Sequence, residues 1–215
     1  RFKEVSEGVN VVSFSDAHSF WPWRLGREAT VFEIPELSYD NVIKAVRTGQ
    51  GLKATIETPP EYGKYHWDGH RLCGFSCGPE ETKKLRGICP VCKRPLTIGV
   101  DNRIEEIAAF PKGHKPKNAK PFYRILPLHE VVALAVNSNL EGKQTWETYN
   151  ELIKNFGNEL QVLLHSSKEM LLGKGFDAKL VELILKNREE KIKIAPGYDG
   201  EYGKALLAEK QKTLP

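Results

Sequence analysis

The chain is short of the features that would put it in a membrane or in a disulfide-stapled secreted fold. No apolar run approaches the roughly 18 residues that a spanning helix needs. Arg1-Phe2-Lys3-Glu4 is charged and has no apolar block behind it, so no signal peptide is read. Cysteine occurs four times in 215 residues and only between positions 73 and 92. A disulfide framework spreads its cysteines, whereas a tight cluster in an otherwise cysteine-free chain is the pattern of a metal site. Methionine occurs once. With many Lys, Glu and Ile, that scarcity suits a thermophile. A cytoplasmic, prokaryotic protein is the expectation. The net charge of +4 permits nucleic-acid binding without requiring it.

Residues 9–15 read as a strand ending in a polar tip, and Ala29 to Ile34 as a second strand. Ser38 is placed to cap a helix from Tyr39 to Arg47 that stops at Gly49, and Leu52 to Glu57 is a third strand. This order resembles the tail of an α/β unit. After Pro60 the composition turns to Gly, Cys, Pro and aromatic residues, with one short helix from Pro79 to Leu85. Asp101 is expected to cap a helix over 102–110, Phe122 to Leu126 to form a strand, and Leu128 to Val136 a helix. Helical periodicity returns in 145–156, 158–165 and 177–188. A strand is expected over Lys191 to Ala195, and a fraying helix or tail from Lys204 to Pro215. The expected domains are 1–60, 61–110 and 111–215.

Three places carry candidate chemistry. Asp16 and His18, two apart at a strand's end, can lean into one cavity mouth and offer a carboxylate and an imidazole to a divalent metal. The second place is Cys73-x3-Cys77 with Cys89-x2-Cys92, where four thiolates can converge on one structural Zn2+. The alternative is four buried or redox-active thiols; His66 and His70 lie close by as substitute ligands or surface histidines. The third is the acid-free stretch 111–121. Lys112, Lys115, Lys117 and Lys120, with Arg124 beyond, would give sequence-blind phosphate contacts, or form a solvated mobile loop. Trp21, Trp23, Trp67 and Tyr65 stand in loop-like surroundings, either to stack on bases or to pack a local core. Pro196–Gly203 holds three glycines with Tyr198 and Tyr202, as a base-holding loop or an elaborate turn.

Ser15-Asp16-Ala17-His18-Ser19, followed by Gly26-Arg27-Glu28, resembles the last metal motif of the polymerase and histidinol phosphatase (PHP) superfamily. The cysteine segment 73–92 and the run 196–203 are similar to those of the endonuclease Q family of archaea and its bacterial relatives. The resemblance implies an α/β fold: the C-terminal part of a distorted PHP (β/α) barrel, then a small zinc-ribbon-like module, then a mainly helical α+β domain. It implies a metal-dependent DNA-repair endonuclease that cuts the phosphodiester next to deaminated bases (uracil, hypoxanthine, xanthine) or abasic sites in double-stranded DNA. Asp16 and His18 would hold catalytic divalent metals (Zn2+, Mn2+ or Mg2+), and Arg27 would clamp a phosphate or else pair with Glu28. Lys112, Lys115, Lys117, Lys120, Arg124, Tyr198 and Tyr202 would contact DNA. PHP enzymes also use a His-x-His, and none occurs here. The chain therefore reads as the C-terminal portion, with an incomplete metal centre and the N-terminal half of the barrel as partner. Rival readings are a non-catalytic zinc-containing DNA-binding module and a PHP-type small-molecule phosphoesterase.

Overall fold

The computed structural model describes residues 1–117 and 119–206, with Val5 and Ser6 as backbone only. They form two compact units that interleave along the chain. One comprises 1–9, 59–119 and the segment from Lys193; the other comprises 10–58 and 120–192. Along the chain the division falls at 58/59 and 119/120, beside the expected boundary near 60 and beyond that near 110. Phe122–Arg124 lies parallel to Leu52–Glu57, so residues on either side of the cysteine segment complete one sheet.

In that second unit the strand Leu52–Glu57 is central, with Ala29–Phe32 antiparallel on one edge and Phe122–Arg124 on the other. Its Leu52, Ala54 and Ile56 are buried. The helix Tyr39–Thr48 begins where the Ser38 hydroxyl accepts the Asn41 N–H and ends at Gly49, whose φ of 73° is left-handed. Residues 9–15 form no strand. Ser13 is held through its backbone N–H and carbonyl by the Thr30 hydroxyl alone, at 2.9 and 2.8 Å. Helices Leu128–Val136, Lys143–Phe156, Lys168–Gly173 and Ala178–Arg188 enclose an apolar core that includes Val131, Val132, Leu152, Leu163, Leu171 and Ile184. The expected helix over 158–165 is a π-helical turn, Gln161–His165. Arg188 donates to the carbonyls of Val162, Leu163 and Ser166 and so satisfies that turn. Asn187 both accepts from and donates to the Leu126 backbone, at 2.9 Å each.

The other unit is built from small pieces. Asp68–His70 and Phe75–Cys77 form a hairpin, and Lys193–Ala195 pairs with Lys204–Leu206. Lys204 to Leu206 is thus strand rather than tail, and 207–215 lie outside the described residues. The helix expected at 102–110 runs Val100–Ile107. Asp68 is fully buried; its carboxylate accepts the Gly99 N–H, the Asn102 amide and the Thr82 hydroxyl. A buried carboxylate with three donors is a satisfied one, and it ties three separate segments together. Among the described residues, no helix is long and apolar enough to cross a membrane.

One buried group in the helical unit links its stability to pH. His129 is completely enclosed by Trp23, Trp146 and Tyr149. Its Nε2–H donates to the Leu140 carbonyl at 2.5 Å and its Nδ1 has no partner. Burial lowers its pKa, with the Leu140 carbonyl opposing. The unfolded chain therefore binds the proton more readily. The contribution is complete above the ordinary histidine value of about 6.5 and is lost as pH falls below it. Denaturation midpoints of the helical unit should drop between pH 7 and 5, with a slope of at most about 1.4 kcal/mol per pH unit from this group. That limb should vanish in His129→Phe; a flat profile in the wild-type chain would remove His129 from the account.

Candidate metal and nucleic-acid sites

The hairpin decides which side chains meet. His70 pairs with Phe75 near its turn, whereas Cys77 pairs with Asp68 two residues further along, about 7 Å away. The turn Arg71–Cys73 closes on Gly74 and folds Cys73 back beside His70. The second knuckle is fixed by Cys89 N–H to Arg94 O at 2.8 Å and Lys93 N–H to Cys89 O at 3.0 Å. His70, Cys73, Cys89 and Cys92 consequently bring one donor atom each to within 4.8 Å of one another. Among the described residues it is thus His70, and not Cys77 of the expected four-cysteine set, that gathers with Cys73, Cys89 and Cys92. Cys77 is buried against the Thr82 hydroxyl, its Sγ at 3.3 Å, on the Asp68 network.

The donor set fits zinc. Tetrahedral Zn–S and Zn–N bonds place sulfur and nitrogen about 3.6 Å apart, and Cys92 Sγ lies 3.6 Å from His70 Nδ1. Burial opposes ionisation of Cys89, but the backbone N–H groups of Cys92 and Val91 overcome it and hold its pKa below the ordinary thiol value. Cys73 is pushed up to about 11, first by burial and then by its hydrogen bonds with Cys92 and Cys89. A cation entering the cluster would displace the thiol protons, with that of Cys89 the more readily released.

Asp16 and His18 lie in the second unit, side by side and open to solvent. Their side chains are 93% and 84% exposed, with His18 Nδ1 4.0 Å from Asp16 Oδ2. His18 Nδ1 is 2.7 Å from the Asp16 carbonyl oxygen. A carbonyl only accepts, so Nδ1 donates this bond and Nε2 is the ring nitrogen left for a ligand. Asp16 has a φ of 43°, a left-handed conformation in which its carboxylate and carbonyl both serve the same spot. Two exposed ligands supply part of a coordination sphere. Arg27 is half-buried nearby in sequence.

The basic stretch is less uniform than its sequence. Lys112 pairs with Glu105 at 3.2 Å. Glu105 is held at about 2 by its hydrogen bonds with Arg1 and Lys112. Arg124 Nε donates to Glu190 at 2.9 Å. Lys115, Lys117 and Lys120 are exposed.

The run Pro196–Gly203 is stitched into its unit. Trp67 N–H reaches Gly197 O, Gly200 N–H reaches Lys64 O, and Gly203 N–H reaches Tyr62 O. A Cβ at Gly203 would overlap the carbonyl oxygen of Glu61. Asp199 accepts from the Arg71 N–H at 2.6 Å and the Thr97 hydroxyl at 2.7 Å. The Arg71 bond, foremost, lowers its pKa. Tyr198 lies against Gly69, and Tyr202 keeps an exposed ring beneath Lys64, whose Nζ is 4.6 Å from the centroid. The other aromatic candidates divide. Trp23 is core, Trp21 stacks on it at 5.0 Å, and Tyr65 is exposed.

Metal analysis of the purified chain should find one tightly held zinc. Cys89→Ser and His70→Ala should each abolish stoichiometric binding, while Cys77→Ser should retain it. Loss of zinc in Cys77→Ser with retention in His70→Ala would restore the four-cysteine set.

Comparison with known proteins places these features. Residues 127–191 match the family described as the MJ0043 C-terminal domain. Over 198 residues the chain is 34% identical to the uncharacterised protein MJ0043 of Methanocaldococcus jannaschii, covering 90% of this chain and 25% of that protein. The crystal structure of the lesion-specific endonuclease PfuEndoQ from Pyrococcus furiosus superposes with a TM-score of 0.84 at 30% identity, over 96% of this chain and 51% of that one. An endonuclease Q complexed with a 27-mer duplex carrying an abasic lesion at the active site gives 0.83 at 29% identity, over 97% and 52%. The chain thus spans about half of the solved structures and a quarter of the curated relative. Nearly its whole length follows one continuous likeness, and the chain is endonuclease Q-like.

Proposed function

We propose that this chain is the C-terminal portion of a metal-dependent DNA-repair endonuclease that cuts double-stranded DNA beside a deaminated base or an abasic site. The observation that carries the reading is the adjacent, solvent-exposed pair Asp16 and His18, in a chain similar to endonuclease Q over 96% of its length. The resemblance to PHP enzymes fits: Asp16 and His18 would be ligands of a divalent metal cluster whose other ligands lie on the N-terminal half of a barrel. Bound there, Zn2+, Mn2+ or Mg2+ supplies Lewis acidity and an activated water. Asp16 and His18 hold the site in register with the scissile phosphate. Hydrolysis there would add water across the P–O bond, hydroxide to phosphorus and the proton to the departing nucleoside oxygen. Arg27, with its planar fork, suits two phosphate oxygens. Lys115, Lys117 and Lys120 serve the duplex backbone. Tyr202 remains a candidate contact, whereas Lys112, Arg124 and Tyr198 are engaged within the protein.

Asp16→Asn, made in the protein that includes both halves, should abolish cleavage of duplexes carrying deoxyuridine, hypoxanthine, xanthine or an abasic site, and should leave duplex affinity within about twofold. Undiminished cleavage would take Asp16 out of the site. The chain alone should not cut, and should do so once mixed with the missing half; failure of the mixture would favour a non-catalytic zinc-containing DNA-binding module.

Replacing Lys115, Lys117 and Lys120 with Gln should weaken binding equally for damaged and undamaged duplexes. It should also flatten log Kd against log salt by about one unit for each phosphate no longer neutralised. An unaltered slope would leave that stretch without a DNA role.

A further inference from the structure

The segment between His18 and Arg27 has no part in the chemistry described above, yet it is the most aromatic stretch of the helical unit. Trp23 is buried, 4.7 Å from His129 and 6.2 Å from Trp146. Trp21 lies flat on it, with ring planes 9° apart. Phe20 packs against Trp21 with centroids 4.8 Å apart and its ring tilted by 33°, and it is 77% exposed. Trp23 and Trp21 thus form a stack anchored in the core, with Phe20 set at an angle against its outer end and open to water.

We infer that Phe20 is a stacking platform for an unpaired nucleobase, held at the outer end of the Trp23–Trp21 stack. Every base presents a π face, so such a platform is indifferent to sequence and needs only that the base be out of its pair. Phe20 follows His18 by two residues, at most about 7 Å of chain. Arg27 stands on the other side of the stack in sequence. A strand with its phosphate at Asp16 and His18 would therefore find an aromatic surface for the adjoining base. This inference rests on the nucleic-acid reading of that same pair, and it names the feature recognised there.

The test uses the whole chain, a fluorescent oligothymidylate and a strand of equal length with every base removed. The wild-type chain should bind the base-bearing strand more tightly, with quenching of tryptophan emission. Phe20→Ala should weaken that affinity about fivefold or more and leave affinity for the abasic strand unchanged. Phe20→Trp should restore the difference and Phe20→Leu should not, because Leu keeps the apolar surface without the π face. Equal affinities for wild type and Phe20→Ala, or rescue by Leu, would overturn the platform while leaving the nuclease reading intact. If the wild-type chain binds neither strand, the nucleic-acid reading itself fails.

Discussion

The unit that carries the cysteines depends on the gathering of His70, Cys73, Cys89 and Cys92. Among its described residues Cys77, Cys89 and Leu96 form a small buried cluster. Cys73, Phe75, Leu85 and Cys92 pack partly buried around them. Three of these seven residues, Cys73, Cys89 and Cys92, are also donors of the candidate metal cluster. A unit with so little apolar area cannot offset its conformational entropy by burial alone. A cation binding four preorganised donors is the natural remedy, because binding free energy becomes folding free energy. The Asp68 carboxylate is a second tie, joining residues near 82, 99 and 102 through hydrogen bonds that a buried charge demands.

The helical unit is stabilised in the ordinary way, by Val, Leu and Ile buried between helices and by side-chain clamps from Asn187 and Arg188. That scaffold can carry a loop whose tip contributes little to stability. Trp23 anchors residues 10–28, Ser13 is held by Thr30, and between these fixed points Asp16, His18 and Phe20 face water. Functional groups on a loop pinned at intervals by a rigid body are a common arrangement. Here the pins and the exposed groups alternate within about ten residues.

Where a signal is local, the sequence and the structure agree. Ser38 and Gly49 bracket a helix because a cap oxygen and a left-handed glycine act within one turn. Leu52–Glu57 and Leu128–Val136 form as their patterns predict. Residues 9–15 carry the apolar residues of a short strand but lack the backbone ladder that makes one, and a ladder depends on a neighbour that no local pattern reveals. The interleaved units were hidden because Phe122–Arg124 returns to Leu52–Glu57 across the cysteine segment. The cysteine cluster was legible as a metal site, but its membership was not. Spacing alone cannot tell which end of a hairpin a residue occupies, and the register puts His70 at the turn and Cys77 at the far end. Phe20 left no mark, because one exposed ring becomes meaningful only once Trp21 and Trp23 are seen stacked behind it.

The claim that the cysteine-bearing unit is a metal-organised fold is tested most directly by amide hydrogen exchange on the intact chain, with zinc present and after chelation. Zinc removal should erase protection across 68–77, 87–97 and 196–204, while Leu128–Val136 and Ala178–Arg188 exchange as slowly as before. Unchanged protection in the Asp68–Cys77 hairpin after removal of the metal would contradict it.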